Sequence, residues 1–228
     1  MRPITERLSP VIKFLVVAST LVYLFYLFVP TQRQLIVDHL TISPWILKGE
    51  IWQPVTALFV HGDFLNFFFN MLGLWFVGAT IERQVGTRWF LTIFFVTGVV
   101  ANLVIVGWSV WTGLWPPAAG CGSAVIALYV SFGTLYDRTP VRVLGALVLE
   151  ARIMTLILVG FVVLTDLASG VLAYLPAHLL AMLLGYVMAG GRGEGLKRLW
   201  GSARAKRVRR RYQVLDGGRR GTRPEDLN

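Results

Sequence analysis

The chain has 228 residues, 55% of them apolar and 15% charged, with a formal net charge of +10 and a mean hydropathy of +0.63, whereas soluble domains are about a quarter charged. These values exclude a soluble enzyme, a β-barrel and a disordered scaffold, and the single cysteine, Cys121, excludes an internal disulfide framework and a Cys-rich metal site. Between Arg88 and Asp137 run 48 consecutive uncharged residues, enough for two crossings and a turn at about 20 residues per crossing, so a single helical bundle in lipid is expected.

Arg2, Arg7 and Lys13 lead into the apolar run Phe14 to Val29, which reads as a retained first span because no small-x-small cleavage pattern follows it. Residues 30–61 mix Trp, Ile, Pro and polar residues and suit a partly structured loop at the outer membrane interface, where indole rings settle. A second span is expected from Phe64 to Ile81, a third from Trp89 to Trp111 and a fourth from Ser123 to Tyr136; the prolines and glycines of TGLWPPAAGCG break the chain between the last two. A charged connection with Asp137, Arg138, Arg142, Glu150 and Arg152 leads to a fifth span around Ile153 to Leu172, and a sixth starts at Pro176 and ends by Gly191. The tail, residues 192–228, carries 12 Lys/Arg against four acidic residues. It reads as a mostly disordered cytoplasmic anchor that touches anionic lipid, and no nucleic-acid partner is expected.

Six spans put both termini on one side of the membrane. Loops on that side hold 20 Lys/Arg while the opposite side holds only Arg33 and Lys48, so both termini are expected in the cytoplasm of a cell (plasma) membrane protein.

The second, fourth and sixth spans then enter from the opposite face, and their starts carry the polar residues: His61, Asn66 and Asn70, then Ser123, then His178. Asn70 lies six residues beyond Phe64, about 9 Å along a helix, so these groups reach a shared depth. One intramembrane Asn is ordinarily an interhelical hydrogen bond; three helices converging with Asn, Ser and His point to a functional pocket. A Ser beside a His is the minimum for nucleophilic acyl transfer, with carboxamides and helix N-terminal N–H groups as oxyanion donors. Ala177, Ala181, Gly185 and Ala189 on the sixth span, and Ser123, Ala127 and Ser131 on the fourth, recur every four residues, the spacing that lets helix backbones touch. A transporter is disfavoured because Asp166 and His178 fall near one face and no ionisable pathway crosses the bundle.

Three stretches carry a family resemblance: HGDFLNFFFNMLGLWFVGATIE, GCGSAVIAL and AHLLAMLLG resemble the second, fourth and sixth helices of the rhomboid family of intramembrane serine proteases, within a likeness running from about Trp52 to Gly191. The resemblance implies an all-α membrane protein, a six-transmembrane-helix rhomboid-like bundle over residues 1–191. It further implies a Ser/His dyad that cleaves transmembrane substrates without a cofactor, His178 being the general base, Asn70 an oxyanion donor and His61 the first histidine of the second-helix motif. The chain departs from the family pattern in three places. Asn66 stands where a second histidine is usual, Trp52-Gln53 replaces Trp-Arg, and a gapless match sets Gly122 in the nucleophile's place with Ser123 in that of the following glycine.

Two expectations follow. In one, the flexible Gly-Cys-Gly absorbs a one-residue shift and Ser123 works with His178, Asn70 and Asn66 as a displaced endopeptidase site. In the other, the protein is a non-catalytic pseudoprotease that binds or escorts transmembrane client helices. Cys121 is a further alternative, as a thiol nucleophile.

Overall fold

The computed structural model describes residues 9–116, 118–143 and 147–190; the basic tail read from the sequence lies outside them. The first helix, α1 (Pro10–Phe28), is capped by Ser9, whose side chain accepts from the Ile12 N–H, with Pro10 in the first turn where its missing N–H costs nothing. The expected interfacial loop is more ordered than its composition indicates. It holds α2 (Arg33–Leu40) and the single turn α3 (Gln53–Thr56), with short 3-10 turns at Pro30–Gln32, Pro44–Lys48 and Ala57–Phe59.

The second apolar stretch comprises α4 (Phe64–Gly73), a π turn (Leu74–Gly78) and α5 (Ala79–Val85), together a 22-residue run. Asp63 starts it by accepting the Asn66 N–H at 2.8 Å, an N-cap that sets the helix phase. The π turn follows Gly73, where a Cβ would fall 2.6 Å from Val125 Cγ1. Then come α6 (Thr87–Thr112), α7 (Gly122–Tyr136), the hairpin strands β1 (Pro140–Val143) and β2 (Leu147–Glu150), α8 (Ala151–Ser169) and α9 (Tyr174–Met188). The hairpin, antiparallel with Pro140 opposite Glu150, was not visible in the charge pattern of the connection it occupies.

All six expected apolar helices are present, and the chain is an all-α membrane bundle. Four of them, counting α4 to α5 as one, are long and apolar enough to cross a membrane; α7 and α9 have 15 residues each, about 22 Å, short of a hydrocarbon core about 30 Å thick. Enclosure accounts for the shortness of α7. It is the central helix, with Ser123 through Leu128, Ser131 and Phe132 all buried, so neighbours rather than lipid surround it. By contrast α8 buries only Ala151, Thr155 and Asp166.

The small-residue rows meet as their spacing predicts. Ala127, Ala177 and Ala181 share one core cluster, the Ser131 hydroxyl donates to the Gly185 carbonyl at 3.0 Å, and a Cβ on Gly185 would stand 2.9 Å from Ala127 Cα. That contact sets α7 and α9 side by side and parallel, bringing both of their first turns to one end of the bundle. At the other end Ser9 donates to the buried Glu82 carboxylate and Thr87 Oγ1 does so at 2.7 Å, while Trp89 Nε1 donates to the Met188 carbonyl at 3.1 Å.

Candidate functional site

The first two turns of α4 and α9 and the start of α7 carry the candidate residues. On α4, Asn66 and Asn70 are one turn apart, and Asn70 Nδ2 donates to Asn66 Oδ1 at 2.6 Å. Asn70 is only 8% exposed, so this bond satisfies a carboxamide that is nearly out of water. The loop before α7 passes over the same pair: Gly120, at φ +101°, would place a Cβ 2.9 Å from Asn66 Oδ1 and 3.3 Å from His61 Cδ2. A side chain is excluded there by space and by backbone conformation alike. The Gly120 N–H donates to the Ala57 carbonyl at 2.8 Å and Ile42 pairs with Ala118, tying this loop to the interfacial segment.

Position 122 carries the decisive geometry. A Cβ built on Gly122 would stand 3.8 Å from Asn70 Oδ1 and 3.9 Å from Asn70 Nδ2, at ordinary contact distance. The start of α7 therefore turns Gly122 toward the carboxamide of α4. Ser123 is one residue further, about 100° round the helix, 7% exposed, and in the row of Ala127 and Ser131 that packs on α9.

His178 on α9 engages neither Asn70 nor Ser123 through Nδ1. That nitrogen lies 2.6 Å from Asp166 Oδ2 on α8, at hydrogen-bonding distance, the two side chains being 16% and 7% exposed. Tyr174, one turn earlier, lies against the same imidazole with ring centroids 6.4 Å apart. Sequence reasoning missed this partnership, although a signal was present: Asp166 is the one charged side chain between Arg152 and Arg192, and an ionisable residue inside an apolar span calls for a partner.

His61 and Cys121 form a separate buried cluster behind the asparagines. His61 Nε2 is 3.8 Å from Cys121 Sγ, His61 Nδ1 is 3.3 Å from the Phe59 carbonyl, and Phe67 meets the imidazole edge-on. Burial lowers His61 to about 4, against the smaller opposing pull of the Phe59 carbonyl and Asp63. Burial likewise pushes the Cys121 thiol up to about 12. A neutral, fully buried thiol is a poor nucleophile, so Cys121 acts as packing.

Gln53, flagged in the sequence only as a replacement for an arginine, is the hub of the interfacial loop. Fully buried, its Oε1 accepts from the Ser43 N–H at 2.9 Å, and its Nε2 donates to the Asp38 carbonyl at 2.9 Å, to Ser43 Oγ at 2.8 Å and to Glu50 Oε2 at 2.8 Å. Asn102 of α6 donates to the Pro54 carbonyl at 2.8 Å, fixing this loop on the bundle. Among the described residues no group of three or more His, Cys, Asp or Glu side chains is placed to hold a metal ion.

The chain is 27% identical over 99 residues to the rhomboid protease GlpG of Salmonella choleraesuis (strain SC-B67), covering 43% of this chain and 36% of that protein, and 26% identical over 99 residues to GlpG of Salmonella newport (strain SL254). The matched stretch thus spans little more than a third of the length of these relatives. The Rhomboid domain family matches residues 48–193, which takes in α3 through α9 and every side chain of the polar site. With that match across most of its length, in an all-α membrane bundle, the chain belongs to the rhomboid family.

Proposed function

We propose that this protein is a non-catalytic member of its family, which receives transmembrane segments of other proteins at the polar hollow between α4, α7 and α9 and does not cleave them. The observation that carries this reading is the residue facing Asn70. It is Gly122, which has no side chain, while Ser123 is the next residue, about 100° further round the helix. Acyl transfer needs a nucleophile beside both a base and the oxyanion donors; the position facing the donor Asn70 offers no hydroxyl.

One observation favours a second reading, in which Ser123 is a displaced nucleophile for His178 and the protein is an active intramembrane serine endopeptidase. Burying the Asp166–His178 pair is costly in a medium of low dielectric constant, and a pair retained at that cost is consistent with acid–base work. In either reading the clients are transmembrane proteins, both termini are cytoplasmic at the plasma membrane by the 20-to-2 distribution of Lys/Arg, and the basic tail associates with anionic lipid.

The test is a reporter with one transmembrane segment, co-reconstituted with the full chain in liposomes and carrying a photo-crosslinker at the depth of Asn70. Crosslinking without a cleavage product is expected. A product that disappears in Ser123→Ala would establish the second reading instead.

A further inference from the structure

The strongest feature outside the residues matched to the family pattern is Asp166. It sits near the end of α8, a helix whose other buried residues, Ala151 and Thr155, lie in its first two turns. Thr155 Oγ1 bonds the Tyr129 carbonyl at 3.0 Å, fixing the start of α8 to α7. At the far end the described polar link is Asp166 Oδ2 to His178 Nδ1, 2.6 Å. α7 carries no charged residue, the only charged residue of α6 is Arg88 in its first turn, and α9 contributes only Tyr174 beside the imidazole.

We propose that Asp166 is a positioning residue for His178. Its carboxylate holds the proton on Nδ1 and so leaves Nε2, on the opposite side of the ring, as the hydrogen-bond acceptor of the site. A neutral imidazole has one donor and one acceptor nitrogen, and the partner of one nitrogen decides the role of the other. In water the neutral ring favours the proton on Nε2, which would present a donor to the hollow. The carboxylate reverses that preference. A hydroxyl entering the hollow, from a client side chain or from a serine introduced at position 122, would then find an acceptor. If its proton moves, it moves to Nε2 while the Nδ1 proton stays on nitrogen and Asp166 stabilises the imidazolium.

The inference rests on His178 being the acceptor of the proposed client site and does not depend on whether cleavage occurs. The test uses the full chain in nanodiscs with 15N-labelled imidazoles. Three histidines are present, so His39→Gln and His61→Gln variants assign the His178 signals. In its neutral form His178 is expected to show an acceptor-type Nε2 and a protonated Nδ1. In Asp166→Leu the ratio of the two neutral forms should move toward protonated Nε2 by about tenfold or more, as expected on losing a hydrogen bond to a charged group, and Asp166→Glu should restore part of it. A wild-type His178 already protonated on Nε2 overturns the proposal, and so does an unchanged ratio in Asp166→Leu. Should that variant fail to fold, the wild-type measurement still decides. Cleavage of the liposome reporter would refute the non-catalytic reading and leave this result untouched.

Discussion

Gly122 faces Asn70: a Cβ at residue 122 would lie 3.8 Å from the carboxamide oxygen, so the first turn of α7 presents an empty position to the one polar side chain of α4 most nearly out of water. Ser123, its neighbour, is buried and by its spacing stands in line with Ala127 and Ser131, which meet α9. Changing Ser123 to Ala should therefore leave stability close to wild type, because a small buried group is exchanged for a similar one in a row that already contains Ala127. Thermal unfolding in detergent checks this, and a loss beyond about 2 kcal/mol would mean that the hydroxyl has a partner worth a buried hydrogen bond.

The α7–α9 contact makes a sharper stability prediction. Gly185→Ala inserts a methyl group against the backbone of Ala127, only 2.9 Å from its Cα, and should cost about 1–3 kcal/mol, the usual range for overpacking. Gly107→Ala, on α6 where a Cβ meets nothing within 4 Å, is the control. It should be neutral or slightly stabilising through helix propensity.

Gln53→Leu should loosen the interfacial loop. It leaves the Ser43 N–H and the Asp38 and Glu50 oxygens without this partner, at about 1–3 kcal/mol for each buried group left unpaired. Faster proteolysis within residues 30–61, with α6 to α9 still protected, is the expected pattern. Uniform unfolding would show that the loop and the bundle are one cooperative unit.

His61 links stability to pH. Its folded value is lowered from 6.5 to about 4, so between those values the unfolded chain binds a proton that the folded protein does not. Stability is complete above pH 6.5 and falls as the pH drops toward 4, by up to about 3 kcal/mol from this group. His61→Gln should remove that part of the acid slope, measured as the wild-type minus variant difference in unfolding midpoint across the window. Equal slopes would contradict the burial account. Cys121 gives a companion measurement in the native state at neutral pH, where iodoacetamide should leave the thiol unmodified until the protein is denatured.

How legible all this is in the sequence depends on the kind of physics involved. Helices were readable because lipid forces long uncharged stretches to satisfy their own backbone, and the small-residue rows on α7 and α9 gave away a contact that requires bare backbone. The hairpin at 140–150 was not readable, since a charged connection gives no period that separates a strand from a loop. Pairing of Asn66 with Asn70 follows from their spacing on one helix. Pairing of Asp166 with His178 joins two helices through their rotation about their own axes, which no single segment encodes. The hub role of Gln53 was hidden for the same reason, its partners lying 3 to 15 residues away along irregular backbone.

The central claim is that residue 122, and not 123, occupies the nucleophile position. It is tested most directly by treating wild type, Ser123→Ala and Gly122→Ser with a fluorophosphonate in membranes and mapping the adduct by peptide mass spectrometry. The account predicts no adduct in wild type or Ser123→Ala and an adduct on residue 122 in Gly122→Ser. An adduct on Ser123 of the wild-type protein would contradict it.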